Sequence, residues 1–252
     1  MWNRPLSLNA IADLLFVTGA AMLLAAGVIW MSRQPFAPVR VVRLSAPLKH
    51  VAWQDLEEAV QTQGQGNFFL VSLERLRATL ETMPWVRRAM VQRVWPDQLL
   101  VTLEEHQPVA RWGQSDTEWV NHFGEVFAAP LTIGTTPRLP RFSGSADASV
   151  ILLRQYEVAA RTFAPLGVKP TALSFSSRRA LDIRLDNGLL LRLGREQGKA
   201  PVAARLARFV AVWPQEVAGR TPPPQIADLR YPNGFTLYPK GSRAARPVVQ
   251  EE

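Results

Sequence analysis

The chain has 252 residues, no cysteine and a formal charge of +8 at pH 7. The missing thiols exclude structural disulfides and thiolate-ligated zinc, and they are compatible with an oxidising compartment. The positive charge admits nucleic acid, an acidic partner or an anionic membrane face. Its arginines alternate with apolar residues in strand-like segments, so a solvated basic surface beside a membrane explains it at least as well as nucleic-acid binding.

The first element is the uncharged run Leu14 to Met31, LLFVTGAAMLLAAGVIWM, closed by Asp13 and Arg33. As a helix, with Ile11 and Ala12 added, it crosses about 30 Å of hydrocarbon. Val28, Ile29, Trp30 and Met31 stand where a signal peptide would carry small residues for cleavage, so the span reads as retained. Trp30 suits the headgroup layer. The run divides the start of the chain into a tail (1–13), a transmembrane helix (14–31) and a linker (32–38). Arg4 and the α-amino group precede it, whereas Arg33, Arg40, Arg43 and Lys49 lie beyond it. A positive-inside count alone would place the C-terminal region in the cytoplasm.

Residues 39–106 read as β-α-α-β-β. Val39 to Leu44 is a β-branched run ended by Pro47, and Trp53, Leu56 and Val60 fall at helical spacing. The loop Gly64-Gln65-Gly66-Asn67 leads into Phe68, Phe69, Leu70 and Val71. Ser72 is a good N-cap for a second helix with the stripe Leu73, Leu76, Leu80 and Met83, ended by Pro84. Val86 to Trp95 and Leu99 to Glu105 are strands about a Pro96-Asp97-Gln98 turn. Leu99, Val101 and Leu103 share one face and Thr102 and Glu104 the other, so the sheet is expected to be solvated on one side.

Residues 107–238 are richer in strands. Thr117 to Val120 and Glu125 to Ala128 flank the turn Asn121-His122-Phe123-Gly124, and Pro137 and Pro140 break the stretch after it. A helix over Ala146 to Phe163 carries Leu152, Tyr156, Ala159 and Phe163. Leu181, Ile183 and Leu185 alternate with charged residues and meet Leu189, Leu191 and Leu193 across Asn187-Gly188, a hairpin signal expected to need positive φ at both turn residues. Leu206, Phe209, Val210 and Trp213 mark another helix, Pro222 to Pro224 a stiff connector, and Ile226 to Tyr238 a last hairpin around Asn233-Gly234. The tail 239–252 has little to bury. The fold class is therefore α+β: one transmembrane helix, a β-α-α-β-β unit, and a mostly antiparallel β domain with flanking helices.

Catalytic patterns are missing. His50, His106 and His122 have no metal-ligand spacing, and no phosphate loop, nucleophile elbow or SxxK motif is present. In Glu104-Glu105-His106, consecutive strand residues face opposite ways and do not converge on one substrate. The reading is of a non-enzyme without a cofactor. The alternatives are a membrane-anchored chaperone or transport accessory that grips peptides on its first domain, and a cell-wall hydrolase with converging carboxylates.

Several motifs, in order, resemble one family. PWVRRA (Pro84 to Ala89), the RxWPDxL style of the adjoining turn, and GNFFLVSLERLRATLETMPWVRRAMVQRVWPDQLLVTLEEHQPVARW as a whole (Gly66 to Trp112) are similar to the POTRA domain of the FtsQ/DivIB family and its exit. VNHFGEVF (Val120 to Phe127), SRRALDIRLDNGLLLRLGRE (Ser177 to Glu196), ARLARFVAVWP (Ala204 to Pro214) and DLRYPNGF (Asp228 to Phe235) resemble its β domain. The resemblance is to the proteobacterial type and covers the chain apart from its two tails. It implies a non-enzymatic divisome scaffold of the cell inner membrane, with its N-terminus cytoplasmic, both domains periplasmic, and its population concentrated at the septum. That overrides the charge count.

The partners it implies are FtsB and FtsL, joined by strand addition to the β domain. Other division proteins would dock through the POTRA domain and anchor, and no nucleic acid is implied. Carried over by motif, the partner surface comprises Arg178, Arg230 and Tyr231 with the terminal hairpin residues Asn233, Gly234, Phe235, Leu237 and Tyr238. Arg178 and Arg230 could each clamp a carboxylate bidentately, and Tyr231 is an amphipathic anchor. Where family members can carry an aromatic residue five positions before the DLRY tyrosine, this chain has Ile226. Where they can have a tryptophan after the hairpin, it has Tyr238 and Pro239, and Pro239 should end strand pairing.

Overall fold

The structure, a computed structural model, describes residues 5–33, 41–44, 48–64, 68, 71–96, 98–130, 138–198, 200–231 and 233–239. The predicted tail residues 1–4, linker residues 34–38, Val39, Arg40, Pro47, loop residues 65–67, Phe69, Leu70, Asp97, Pro137 and the tail beyond Pro239 lie outside these.

The apolar run lies in α1 (Pro5–Arg33), which starts upstream of Leu14. Its window Asn9–Trp30 is long and apolar enough to cross a membrane, and none of that window is buried by protein. A core helix of a soluble protein would have its apolar face covered. Thr18, the run's one hydroxyl, donates back to the Leu14 and Leu15 carbonyls at 2.8 and 3.1 Å, which leaves no unmet donor in an apolar setting.

The chain divides into two compact units, Met1–His106 and Gln107–Glu252. After α1 the first contains β1 (Val41–Leu44), α2 (Trp53–Gly64), α3 (Leu73–Glu81), β2 (Val86–Val94) and β3 (Gln98–Glu105). β3 is central, parallel to β1 and antiparallel to β2. Leu99, Val101 and Leu103 turn to a core shared with Leu56, Val60, Leu76 and Leu80, while alternate residues of β3 stay partly exposed. The Ser72 side chain accepts the Arg75 N–H and caps α3 as its position predicts. Two expectations need correction. Trp53 is 52% exposed, because it stands at the first position of α2, ahead of the turn that meets the sheet. Gly64 closes α2 and does not open the loop.

Glu105 has a structural task. Its carboxylate accepts the backbone N–H groups of Lys49, His50 and Val51 at 3.0 to 3.1 Å and lies 3.3 Å from His50 Nδ1. Burial opposes its charge, but these donors together hold its carboxyl below the ordinary value. It thereby ties the end of β3 to the segment entering α2, and Trp85 stacks on His50 at 4.2 Å.

The second unit contains β4 (Pro108–Trp112), β5 (Glu118–Asn121), β6 (Val126–Ala128), β7 (Arg141–Ser143), α4 (Ser149–Phe163), β8 (Pro170–Phe175), β9 (Leu181–Leu185), β10 (Leu190–Gly194), α5 (Val202–Glu216), β11 (Pro224–Asp228) and β12 (Thr236–Pro239). Their order in one nine-stranded sheet is β12-β11-β10-β9-β8-β7-β4-β5-β6. Most pairs are antiparallel. Three pairs are parallel, β4–β7, β7–β8 and β10–β11, and the last two are joined through α4 and α5, the crossover helices that parallel neighbours require. Leu152, Ala159 and Phe163 of α4 and Leu206, Phe209 and Trp213 of α5 pack on Leu173, Ile183, Leu191 and Ala227. The predicted alternation on β9 and β10 thus marks the face that the helices cover.

The β5–β6 turn is locked to the start of α4. Buried Asn121 accepts the Phe123 and Glu125 N–H groups at 2.9 Å, and Ser149 donates to the Gly124 carbonyl at 2.7 Å. Gly124 has φ +82, and a Cβ there would lie 2.8 Å from the Val150 Cα, so the backbone itself demands glycine. The Asn187-Gly188 hairpin also differs from expectation. Gly188 has φ +87, but Asn187 is not left-handed. Gly188 N–H bonds Leu185 O and Leu185 N–H bonds Leu189 O, giving a wider loop with one left-handed glycine.

Candidate functional site

Among the described residues β12 is a terminal strand of the large sheet, hydrogen-bonded to β11 on one side only. An edge of this kind leaves alternate N–H and C=O groups without a strand partner. Ile226 faces Tyr238, Ala227 faces Leu237, and Asp228 faces Thr236. Leu237 leans on the helix-covered core, whereas half-buried Tyr238 lies across the strand from buried Ile226. Pro239 is the last described residue of the ladder, opposite Pro224, and brings no N–H to it.

The connection between these strands is no tight turn. The register leaves residues 229–235 between the paired positions, and Gly234 is not left-handed, contrary to the reading of Asn233-Gly234 as a hairpin turn. Side chains shape this loop. Phe235 meets Phe209 edge-on at 5.2 Å, and Leu229 N–H bonds Arg192 O at 2.8 Å. With its base so held, the loop presents Tyr231 with 52% of its surface exposed and Asn233 beside it.

Arg230 departs from the free carboxylate clamp expected of it. Its Nε donates to Asp228 Oδ1 and Oδ2 at 2.9 and 3.0 Å, and its Nη2 donates to Oδ2 at 2.6 Å. The fork therefore already holds a carboxylate of its own chain, although the Arg230 side chain remains 55% exposed. Asp228 is almost fully buried. That burial opposes ionisation, but the bonds from Arg230 and the nearby Arg192 charge hold its carboxyl below the ordinary value.

Register places Asp182 and Asp228 on opposite sides of Arg192, on the sheet face away from the leucines. Asp182 shifts the other way. Burial pushes it up and the Asp228 charge adds to that, while Arg192 and Arg230 offset only part. Gly194, at the end of β10, has φ +69 and carries the aliphatic stem of Arg230; a Cβ would lie 3.0 Å from its Cγ. Sequence reading missed Asp182, Arg192, Gly194 and Asp228. The available signal was charge alternating with leucine along β9 and β10.

Arg178 lies on the exposed turn between β8 and β9. Leu181 pairs with Gly194, and β11 runs parallel to β10. Arg178 and Arg230 therefore come to the same end of the sheet, separated by strands spaced at roughly 4.8 Å. Asn233, Gly234 and Phe235 belong to the loop, and Leu237 and Tyr238 to the edge strand.

Glu104 bonds Arg87 at 3.0 Å while Glu105 ties down backbone, so the pair does not converge with His106. Among the described residues no group of three His, Cys, Asp or Glu could hold a metal.

Fold and site together define an α+β protein with one membrane-length helix among the described residues and a candidate surface on a sheet edge. Residues 37–106 match the family model for the FtsQ-type POTRA domain, and residues 110–230 match that for the C-terminal region of the cell division protein FtsQ/DivIB. The chain is 36% identical over 243 residues to the cell division protein FtsQ of Burkholderia pseudomallei, with 96% of each chain covered. It is 35% identical to that of Bordetella pertussis, over 94% of this chain and 92% of the relative. Against that of Neisseria gonorrhoeae the identity is 30%, over 94% of each. The chain belongs to the FtsQ/DivIB family of cell-division proteins.

Proposed function

We propose that this chain is a non-enzymatic divisome scaffold that binds the periplasmic parts of FtsB and FtsL through the β12 edge. It thereby helps recruit and regulate the septal cell-wall synthesis machinery. In this reading α1 is a single inner-membrane span with a cytoplasmic N-terminus. A POTRA domain (39–106) and a β domain (107–238) stand in the periplasm and gather at the division septum. The POTRA domain and anchor serve contacts with other division proteins.

The observation that carries the proposal is the terminal position of β12, with one side unpaired among the described residues and Tyr231 exposed in the adjoining loop. A partner strand added there satisfies backbone groups that otherwise bond only water, and the neighbouring side chains supply selectivity. Arg178, Arg230, Tyr231, Asn233, Gly234, Phe235, Leu237 and Tyr238 form the surface. Arg230 contributes as a charge already braced by Asp228, and Arg178 as an exposed one.

The native chain has no cysteine, so one introduced thiol reports one position. Thr236→Cys in the full membrane-embedded chain should form a disulfide with a cysteine scanned along periplasmic FtsB, whereas Ala128→Cys on β6 should not. Linkage from β6 alone, or equal linkage from both edges, would overturn the proposal.

A further inference from the structure

One end of the first unit's sheet carries apolar surface that its own packing leaves outside. β1 runs parallel to β3 with Val41 opposite Gln98, and β2 runs back beside β3 with Val94 opposite Gln98. Val41, Gln98 and Val94 therefore form one row across the sheet, and the β2–β3 turn with Trp95 and Pro96 lies just beyond it. The chain coming from α1 enters the sheet at this same end.

Trp95 is the most exposed large apolar side chain among those described, at 80%, against 78% for Phe16 in the membrane-length helix. Its neighbours Val94 and Pro96 are exposed as well. The indole adds nothing to the core, which Ala89 and Val91 meet from the other face of β2. Nor does a reversal of the chain call for tryptophan. The strand that carries it is nonetheless fixed from the core side, where Arg93 donates to the Phe68 and Val71 carbonyls at 3.0 and 2.6 Å.

The tether sets how far this end can stand from a bilayer. α1 ends at Arg33 and β1 begins at Val41. The chain between them reaches at most about 29 Å, and Trp95 lies two strand spacings to the side of Val41, about 10 Å. A bilayer that holds α1 therefore has this end of the sheet within reach of its headgroups. The charge fits such a surface. No acidic residue occurs between Asp13 and Asp55, whereas Arg33, Arg40 and Arg43 fall there. Against these three stands the one acid of the turn, Asp97. In the orientation proposed above, the positive-inside rule gives the arginines no purpose, but anionic lipid does.

We propose that the Trp95 turn is a second membrane contact, resting on the anionic phospholipid headgroups of the bilayer that α1 crosses. The indole enters the headgroup layer, where its ring is apolar and its N–H meets lipid oxygens, while the arginines of the tether offset the lipid charge. The POTRA sheet is thereby held at the membrane by one end. Two observations select lipid as the occupant: the short tether that enters at this end, and the arginines along it without acid. The contact requires α1 to span a bilayer and does not require strand addition at β12.

The full chain in nanodiscs tests this, since its lack of cysteine lets one thiol-linked fluorophore report one place. Val94→Cys puts the fluorophore beside Trp95, and Glu104→Cys puts it at the opposite end of the sheet, where Glu104 is also exposed. In discs with about one third phosphatidylglycerol and nitroxide-labelled headgroups, quenching at position 94 should exceed that at 104 by about threefold or more. Trp95→Ser should bring position 94 down to the level of 104, and so should pure phosphatidylcholine. The thermal midpoint of Trp95→Ser should hold, because the ring is outside the core. Equal quenching at both positions with Trp95 in place overturns the contact and leaves the indole to a protein partner. That comparison needs no change at the tryptophan, so a variant that fails to fold does not obscure it. Quenching at 94 that survives Trp95→Ser in a folded chain overturns the anchor, and quenching undiminished in pure phosphatidylcholine overturns the preference for anionic lipid.

Discussion

Tyr231→Ala should weaken binding of the periplasmic FtsB–FtsL segment by roughly 30-fold, the loss of about 2 kcal/mol typical of a buried aromatic anchor at an interface. In the free chain the ring is half exposed, with little packing to lose, so the thermal midpoint should hold. The loop around it is fixed through Phe235 on Phe209 and through Leu229 N–H on Arg192 O, neither of which uses the tyrosine. A calorimetric titration beside a melting curve separates the two effects. Affinity that falls only in step with the melting point would give Tyr231 a packing role.

Asp228→Ala should destabilise the β domain by about 2–3 kcal/mol, the range for charge-assisted hydrogen bonds lost from a buried carboxylate. The figure stays below that for a fully buried pair because Arg230 is 55% exposed and can turn to solvent. The cost should depend on pH. In the folded chain the Asp228 carboxyl titrates below its ordinary value. Its contribution is therefore complete above the unfolded value, near 4, and is lost as the pH falls through the lower folded value. Denaturant melts of wild type and Asp228→Asn should thus differ at pH 7 and converge in acid. A gap that widened in acid would contradict the assigned pairing. Binding should also weaken at neutral pH, because Arg230 and the loop leading to Tyr231 lose their brace.

Periodicity made most of the architecture legible. Leu76 and Leu80 on α3, Leu99 to Leu103 on β3, and the leucines of β9 and β10 all turn to the core, because burial of one face is what those repeats encode. Trp53 misled since spacing does not tell where along a helix its covered face begins. The glycine dipeptides misled for another reason. Asn-Gly marks a reversal, but strand register chooses its width, and register comes from packing across the whole sheet. At Asn233-Gly234 it was Phe235 on Phe209 and Arg230 on Asp228 that set the loop.

The site was legible as motif and not as geometry. Arg178 and Arg230 are far apart in sequence, and their arrival at one sheet end depends on the parallel pairing of β10 with β11 through α5. Likewise the structural task of Glu105 is hidden in the sequence, because its three donors come from Lys49 to Val51, far upstream.

Amide hydrogen exchange along β12 tests the central claim most directly. In the free full chain, alternate amides of Thr236, Leu237 and Tyr238 that point away from β11 should exchange as solvent-bonded groups. Saturation with the FtsB–FtsL segment should slow those amides by about tenfold or more and leave β6, at the other edge, unaltered. Bound segment with unchanged exchange along β12 would contradict strand addition.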